Sequence, residues 1–423
     1  MDPAVATVGA YGIETAVEAG VAAYFLIQPT LPLKAHLQHI ASPTPLPHSS
    51  HSLAIIGDRA YIFGGHAQPN QSSPTSNRIQ ELQIPATDGT TAALKSITAI
   101  GENGNVPQAR IRHTAVVARN RVFVFGGCGS SSSDSELLEE NGRIWVFDPL
   151  DSKWLFLDPP PHTSFPRARS QHSSATSSDE KAIFIHGGKA SDGSLLRDTW
   201  VFYLDEGKWT RLADAPGMGR SAVGLVCDQK GRLWRFGGWN GEGMVGGLEY
   251  LVLPRPHSIE LPGTYDDSRK EWEVVEDSEL GNSEKEKQVN VPVAKSNAAL
   301  HHVSTGNGRD YLVLALGEGN SQAGEKRLLQ DIWAYQLRSS GLSGAGVKDA
   351  IRDHVPGVSS HEGQWAPVDV TRMEVGGDEK QGGTWTGRTL FGSSMTGTKQ
   401  FILWGGVNEQ NEVLGDGWWV KIE

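Results

Sequence analysis

Short apolar runs recur along the chain, and most of them end in paired glycines. The runs are Tyr61-Ile-Phe-Gly64-Gly65, Val122-Phe-Val-Phe-Gly126-Gly127, Ile183-Phe-Ile-His-Gly187-Gly188, Leu233-Trp-Arg-Phe-Gly237-Gly238 and Phe401-Ile-Leu-Trp-Gly405-Gly406. A degenerate copy reads Tyr311-Leu-Val-Leu-Ala-Leu-Gly317-Glu-Gly319. Runs of this length, rich in β-branched and aromatic residues and stopped by glycine, predict strands. Their first glycines, with Gly317 in the fifth unit, follow one another at 62, 61, 50, 80 and 88 residues. A constant strand with elastic spacing predicts a repeated supersecondary unit carrying variable loops.

Each unit has a second half. Trp145-Val-Phe-Asp is followed by Lys153-Trp154-Leu-Phe-Leu, and Trp200-Val-Phe-Tyr by Lys208-Trp209-Thr-Arg-Leu. Tyr250-Leu-Val-Leu with Glu271-Trp272, and Trp333-Ala-Tyr-Gln-Leu with Gln364-Trp365, repeat the pattern. Upstream of the glycines lies one more strand, as in Arg112-His113-Thr-Ala-Val-Val and Arg220-Ser221-Ala-Val-Gly-Leu-Val. Four strands per unit, A to D, result.

These repeats resemble the kelch repeat, from Lys34 to Glu423. The resemblance implies an all-β fold, a six-bladed kelch-type β-propeller with four antiparallel strands per blade. The glycines are expected to adopt positive φ and to let a tryptophan pack flat on bare backbone. The sixth unit stops at Trp418-Trp419-Val-Lys-Ile, its C strand. Its D strand is expected from Lys34–Ile40 near the N-terminus, which closes the ring and removes sheet edges. Residues 34–423 form one domain on this reading. Residues 1–33 are an Ala/Val/Gly-rich lead, placed on the propeller wall.

Composition narrows the classes. Gly is 50 of 423 residues, Pro 22, Trp 13 and Cys 2. The apolar fraction of 38% supplies a core and argues against disorder. Two cysteines cannot build a disulfide scaffold, and they suit a reducing, cytoplasmic setting. The net charge of −11 repels nucleic acid. The longest apolar run, Gly20 to Ile27, is too short to cross a bilayer, and no basic residue precedes it. No membrane association is expected, and the chain is expected to be a monomer.

In kelch propellers that bind ligands, the B–C and D–A loops build one face. The resemblance therefore puts His66, Cys128, Lys189, Trp239 with Asn240, Glu318 with Asn320, and Val407 with Asn408 just after the B strands. Just before the A strands it puts Ser50 with His51, Arg112 with His113, Gln171 with His172, Arg220 with Ser221, Ser296 with Asn297, and Arg388 with Thr389. Arg112, Arg220 and Arg388 are the candidates for stabilising negative charge on a substrate oxygen. His113 and His172 are the candidates for proton transfer. His51, His66, Cys128, Lys189, Asn240, Asn320 and Asn408 are candidate binding groups. Trp239, with Trp385 from the last D–A loop, would offer a flat apolar surface. The Arg/Gln-His-Ser/Thr step recurs, so the histidines equally fit a device that pins the A strands by hydrogen bonds. Cys128 equally fits a small core filler.

No cofactor is expected. The cysteines lack a copper radical oxidase pattern, and neither an iron motif of the Glu-x-x-x-Asp-x-x-x-His type nor a P-loop, CxxC or HExxH is present. Ser130–Glu136, Asp277–Pro292 and Thr371–Gly387 are expected as loops on the mouth side, the last two able to cover it, and Arg338–Glu362 as an insertion on the opposite face. Two functions follow. One is a cofactor-independent enzyme of cyclase, isomerase or lyase type, of the kind found in natural-product pathways, acting on a small apolar or aromatic substrate at the central mouth. The other is a protein-interaction module.

Overall fold

The computed structural model describes residues 30–41, 46–68, 74, 76–84, 93–129, 136–253, 271–275, 290–306, 308–320, 325–339, 343–352, 360–372 and 384–423. Residues 1–29 of the lead, 130–135, 276–289 and 373–383 of the expected loops therefore lie outside the described residues.

Alternating buried strands assemble into six antiparallel sheets with a four-strand core, here blades 1 to 6. Their A strands are Ser52–Ile56, Thr114–Ala118, Ser173–Thr176, Gly224–Cys227, Ala299–Gly306 and Gly392–Met395. Residues of all six line one central cavity of about 570 Å3. Blade 6 takes its outermost antiparallel strand from Lys34–Ile40, which pairs with Gly417–Ile422, Gln38 opposite Trp419. That N-terminal strand is flanked in turn by Asp369–Arg372, in parallel. Blade 5 thus reaches across to blade 6 at the rim, where the sequence reading expected the start of a loop at Thr371. Among the described residues the one α-helix, Gly344–Arg352, belongs to the expected insertion. It docks through Asp349 on Arg309 in the A–B turn of blade 5, on the side away from the B–C loops.

Aromatic side chains wedge the blades together. Trp209 of strand D in blade 3 packs on Phe202 of its own C strand and on Phe125 of blade 2, at ring-centroid distances of 5.1 and 5.3 Å. Trp154 repeats this with Phe147 and Phe63 of blade 1, and Trp365 with Tyr335 and Phe236 of blade 4. Each wedge buries large apolar area from two sheets at once.

The paired glycines act differently from expectation. All five pairs have positive φ. At the first glycine, an added Cβ would lie less than 3.0 Å from a backbone carbonyl of the next blade, on Arg110, Arg169, Arg220, Lys295 or His48. Bare backbone therefore faces a neighbouring carbonyl rather than an indole. In blade 5 the register also shifts. Leu316 N–H donates to Asp331 O, as Gly187 and Gly405 donate to Asp198 and Asp416. Leu316 (φ 59°) thus stands at the first glycine position and Gly317 at the second.

Two backbone straps tie neighbouring blades. The second glycine of each pair donates to the carbonyl of Arg110, Arg169, Arg220, Lys295 or His48 in the next blade, at 2.8–3.0 Å. Next, the residue two positions further on in the D–A turn adopts φ near +50° in every blade: Ser50, Arg112, Gln171, Ala222, Asn297 and Leu390. Five of these six donate their N–H to the carbonyl of their predecessor round the channel, from Ser50 to Leu390, Arg112 to Ser50, and on to Asn297 to Ala222, at 2.8–3.1 Å. Neither strap forms between blades 5 and 6 among the described residues. This is also the one seam at which Leu316 stands where the other five blades have the first glycine of a pair. On the mouth side that seam is closed by side chains, while backbone contacts join the two blades elsewhere, through Asp369–Arg372 at the rim and Ser304 N–H to Thr398 O at 2.9 Å. Thr389 Oγ1 donates to Glu318 at 2.6 Å, and His301 Nε2 meets Ser393 Oγ at 2.6 Å.

Candidate functional site: the channel mouth

The B–C and D–A loops do share one face. Isolated bridges join Ser49 to His66, Ile111 to Cys128, Ser170 to Lys189, Ser221 to Trp239 and Thr389 to Val407. Every post-glycine residue is thereby fixed beside a pre-strand residue. The ring of left-handed residues forms the rim of the channel.

The rim is not symmetric. A second cavity, of about 380 Å3, lies at the mouth and is lined by Arg112, Gln171, Ser221, Ala222, Trp239, Met244, Ser296, Asn297, Glu318, Lys326 and Leu390. It unites one guanidinium, two primary amides, an indole and an ion pair, Lys326–Glu318 at 2.7 Å. Trp239 is 40% exposed, and Met218 nearby is 52% exposed. The carboxamide of Asn240 contacts the Met218 sulfur at 4.0 Å.

The expected arginines separate. Arg112 is at the mouth, whereas Arg220 and Arg388 are not. They belong with Arg110, Arg169 and Lys295, two residues earlier in the repeat. Arg220 Nη1 donates to Gly237 O, and its guanidinium pairs with Glu249 at 2.8 Å. Arg388 likewise bonds Gly405 O and Asp416, at 3.1 and 3.2 Å. Arg169 shows the full device, with Gly187 O at 3.0 Å and both Asp198 oxygens at 2.8 Å. Asp198 also accepts from the Trp200 indole at 2.7 Å. These buried cations hold a glycine carbonyl and the start of strand C, so Arg220 and Arg388 are corrected from mouth to framework. The signal was in the sequence as Arg-x-x-[His/Val/Phe], read two residues out of register.

His113 and His172 line the channel wall below the rim. His113 Nε2 meets Ser52 Oγ at 2.9 Å, and His172 Nε2 meets Thr114 Oγ1 at 2.8 Å, each across a blade junction. Burial pushes His172 down to about 3 and His113 well below the usual range. His51 repeats the position, but Gly392 stands where its hydroxyl partner would be. Both ring nitrogens lack a hydrogen-bond partner among the described residues, and burial holds its pKa at about 3. His113 and His172 thus pin neighbouring A strands by hydrogen bonds, the structural alternative read from their recurrence, whereas His51 makes no such bond among the described residues. His66 is buried beside Arg112, and burial first, then that charge, lowers its pKa.

The other candidates are placed as follows. Cys128 is buried with Ile111 and Leu137 in a small apolar cluster. Lys189 is half-buried and bridged to Ser170 and Leu195. Asn240 and Asn408 shape their own loops by accepting backbone N–H groups of Gly243 and Glu412. Asn320 is exposed in a small hairpin opposite Lys326. Trp385 is a correction: it is 5% exposed, donates to Gln330 O and packs edge-on against Trp418. It fills the core between blades 5 and 6, so Trp239 stands without it at the mouth. Sequence reasoning missed Lys326 and Met244, which carry no repeat signature.

Among the described residues no helix is long and apolar enough to cross a membrane. Residues 24–238 match the KLHDC2/KLHL20/DRC7 Kelch-repeats domain. Over 205 residues the chain is 31% identical to an N-(sulfonatooxy)prop-2-enimidothioate sulfolyase of Thlaspi arvense, covering 46% of this chain and 53% of that protein. Over 178 residues it is 29% identical to Kelch domain-containing protein 3 of Homo sapiens, covering 41% and 42%. The matches thus span about half the length of these relatives. The solved structure of YjhT superposes with a TM-score of 0.56 at 16% identity, covering 90% of this chain and 98% of that one. The glycine-ended strands, the six four-stranded sheets and these likenesses place the chain in the kelch-repeat family.

Proposed function

We propose that the mouth binds a small organic anion with an apolar or aromatic body and converts it without a cofactor, by a lyase, isomerase or cyclase type of reaction. The observation that carries this reading is the 380 Å3 cavity in which Arg112, the amides of Gln171 and Asn297, and the Trp239 indole converge. Arg112 would hold an anionic oxygen and stabilise charge that grows on it. Trp239 would stack on the apolar body. The sulfolyase name of one relative supports an elimination that expels an anion. The test is thermal stabilisation by a panel of aryl carboxylates and aryl sulfates. Stabilisation that Arg112→Ala and Trp239→Ala each abolish supports the reading, and no shift with any compound overturns it.

A second reading, protein recognition, is favoured by two exposed apolar side chains, Trp239 and Met218, the latter in contact with the neighbouring Asn240. Affinity capture with wild type and a Met218→Asp, Trp239→Asp double variant separates the two. A stoichiometric partner lost only in the variant, with no response to the small anions, favours recognition.

A further inference from the structure

Five of the six left-handed rim residues spend their N–H on the carbonyl of the preceding one. At the blade 5–6 seam that bond is missing. Leu390 N–H and Asn297 C=O have no hydrogen-bond partner among the described residues. Both residues line the mouth cavity together with Arg112 and Trp239. One donor and one acceptor of the backbone are thus left open at the edge of this cavity, held by residues of fixed left-handed conformation. Unmet backbone groups beside an open cavity are natural partners for a ligand or for water. This is the seam at which Leu316 stands where the other blades have the first glycine of a pair.

We propose that this donor–acceptor pair is a specificity slot that selects ligands carrying a carboxamide or lactam. The amide oxygen of the ligand accepts from Leu390 N–H, and its N–H donates to Asn297 C=O. The ligand replaces the strap missing at this seam. This inference rests on the mouth as the binding site and names the class of substrate it prefers: an anion held by Arg112 that also bears an amide. A ketone of the same shape satisfies Leu390 and leaves Asn297 C=O without a donor.

The probes are 3- and 4-carbamoylbenzoate against 3- and 4-acetylbenzoate, with affinities read by calorimetry on the full chain. At least one carbamoyl compound is expected to bind about tenfold tighter than its acetyl counterpart, the worth of one additional net hydrogen bond. Arg112→Ala is expected to weaken both compounds alike. Replacement of Leu390 by its α-hydroxy acid, which turns the amide N–H into an ester oxygen, is expected to weaken both members of a pair and to spare the fold, since that N–H makes no bond among the described residues. The same replacement at Arg112 is expected to destabilise, because the N–H there is used. Hydrogen exchange at single-amide resolution gives a second reading. Leu390 is expected to exchange faster than Ser50, Arg112, Gln171, Ala222 and Asn297 in the ligand-free protein, and to gain protection with the carbamoyl probe.

Equal affinity for amide and ketone, or no protection of Leu390, overturns the slot while leaving the mouth intact. Failure of all four probes to bind, or binding that Arg112→Ala leaves unchanged, overturns the mouth reading and the slot with it.

Discussion

Five blade junctions carry the same two backbone straps at the channel mouth, and one is tied there through side chains, its backbone contacts lying at the rim and at the opposite end of the A strands. At the five, glycine lets two carbonyls come within hydrogen-bond reach of the neighbouring chain. At the sixth, Leu316 stands at the first-glycine position, and Glu318, Thr389, His301 and Ser393 make the contact. The fully buried Trp385 and Leu316 side chains fill this seam with apolar volume. Backbone ties repeat because they need only glycine and a left-handed turn. Side-chain ties are particular, and that particularity opens polar groups to the mouth. A repeat ring acquires an individual site where its repetition fails.

The largest expected effect comes from breaking a regular junction at its cation. Arg169→Ala leaves Asp198 and the Gly187 carbonyl without their guanidinium, and is expected to cost about 3–5 kcal/mol in denaturant unfolding. Gly64→Ala sets a Cβ against the Arg110 carbonyl at φ 67°, and is expected to cost about 3 kcal/mol. If Gly64→Ala unfolds like wild type, the backbone junctions are not what holds the ring, and if Arg169→Ala does, the buried cation is not what holds the glycine turn of blade 3.

Acid sharpens the comparison further. His51 and His172 are held neutral by burial, with pKa about 3, while the unfolded chain protonates near 6.5. The unfolded state therefore binds more protons between these values. Stability is fully present above about pH 6.5 and falls as pH drops toward 3, with a slope of up to about 1.4 kcal/mol per unit per histidine. His172→Gln should flatten the profile of unfolding free energy against pH. An unchanged slope would remove His172 from the account. The smallest effect is expected at the seam. Ser393→Ala leaves His301 Nε2 without its hydroxyl and is expected to cost about 1–2 kcal/mol, read as a shift in the unfolding midpoint.

Much of this was legible in the chain. Strand-glycine-glycine runs, tryptophans on strands C and D, and the N-terminal partner for the last blade are local patterns, and the structure follows them. The parts that were misread all depend on register between blades. Arg220 and Arg388 look like Arg112 along the sequence, since each precedes an A strand by a few residues. A shift of two residues sends their side chains to a glycine carbonyl instead of the mouth. Trp385 sits in a loop by sequence, yet it is buried because the seam beneath it has space to fill.

The sequence by itself determined the repeat, the number of strands per unit and the pairing of the chain's two ends. Those follow from hydrophobic period and glycine conformation, which act within a few residues. Only the tertiary structure decided which arginine meets the mouth, which histidines pin blades and where the ring departs from its own pattern. The arginines turn on contacts between strands of one blade, such as Arg220 with Gly237, and the rest on contacts some sixty or more positions apart, such as His113 with Ser52 or Thr389 with Glu318. The last of them coincides with Leu316 standing at a first-glycine position, where the Cβ of any other residue meets the next blade's carbonyl only once that blade is in place.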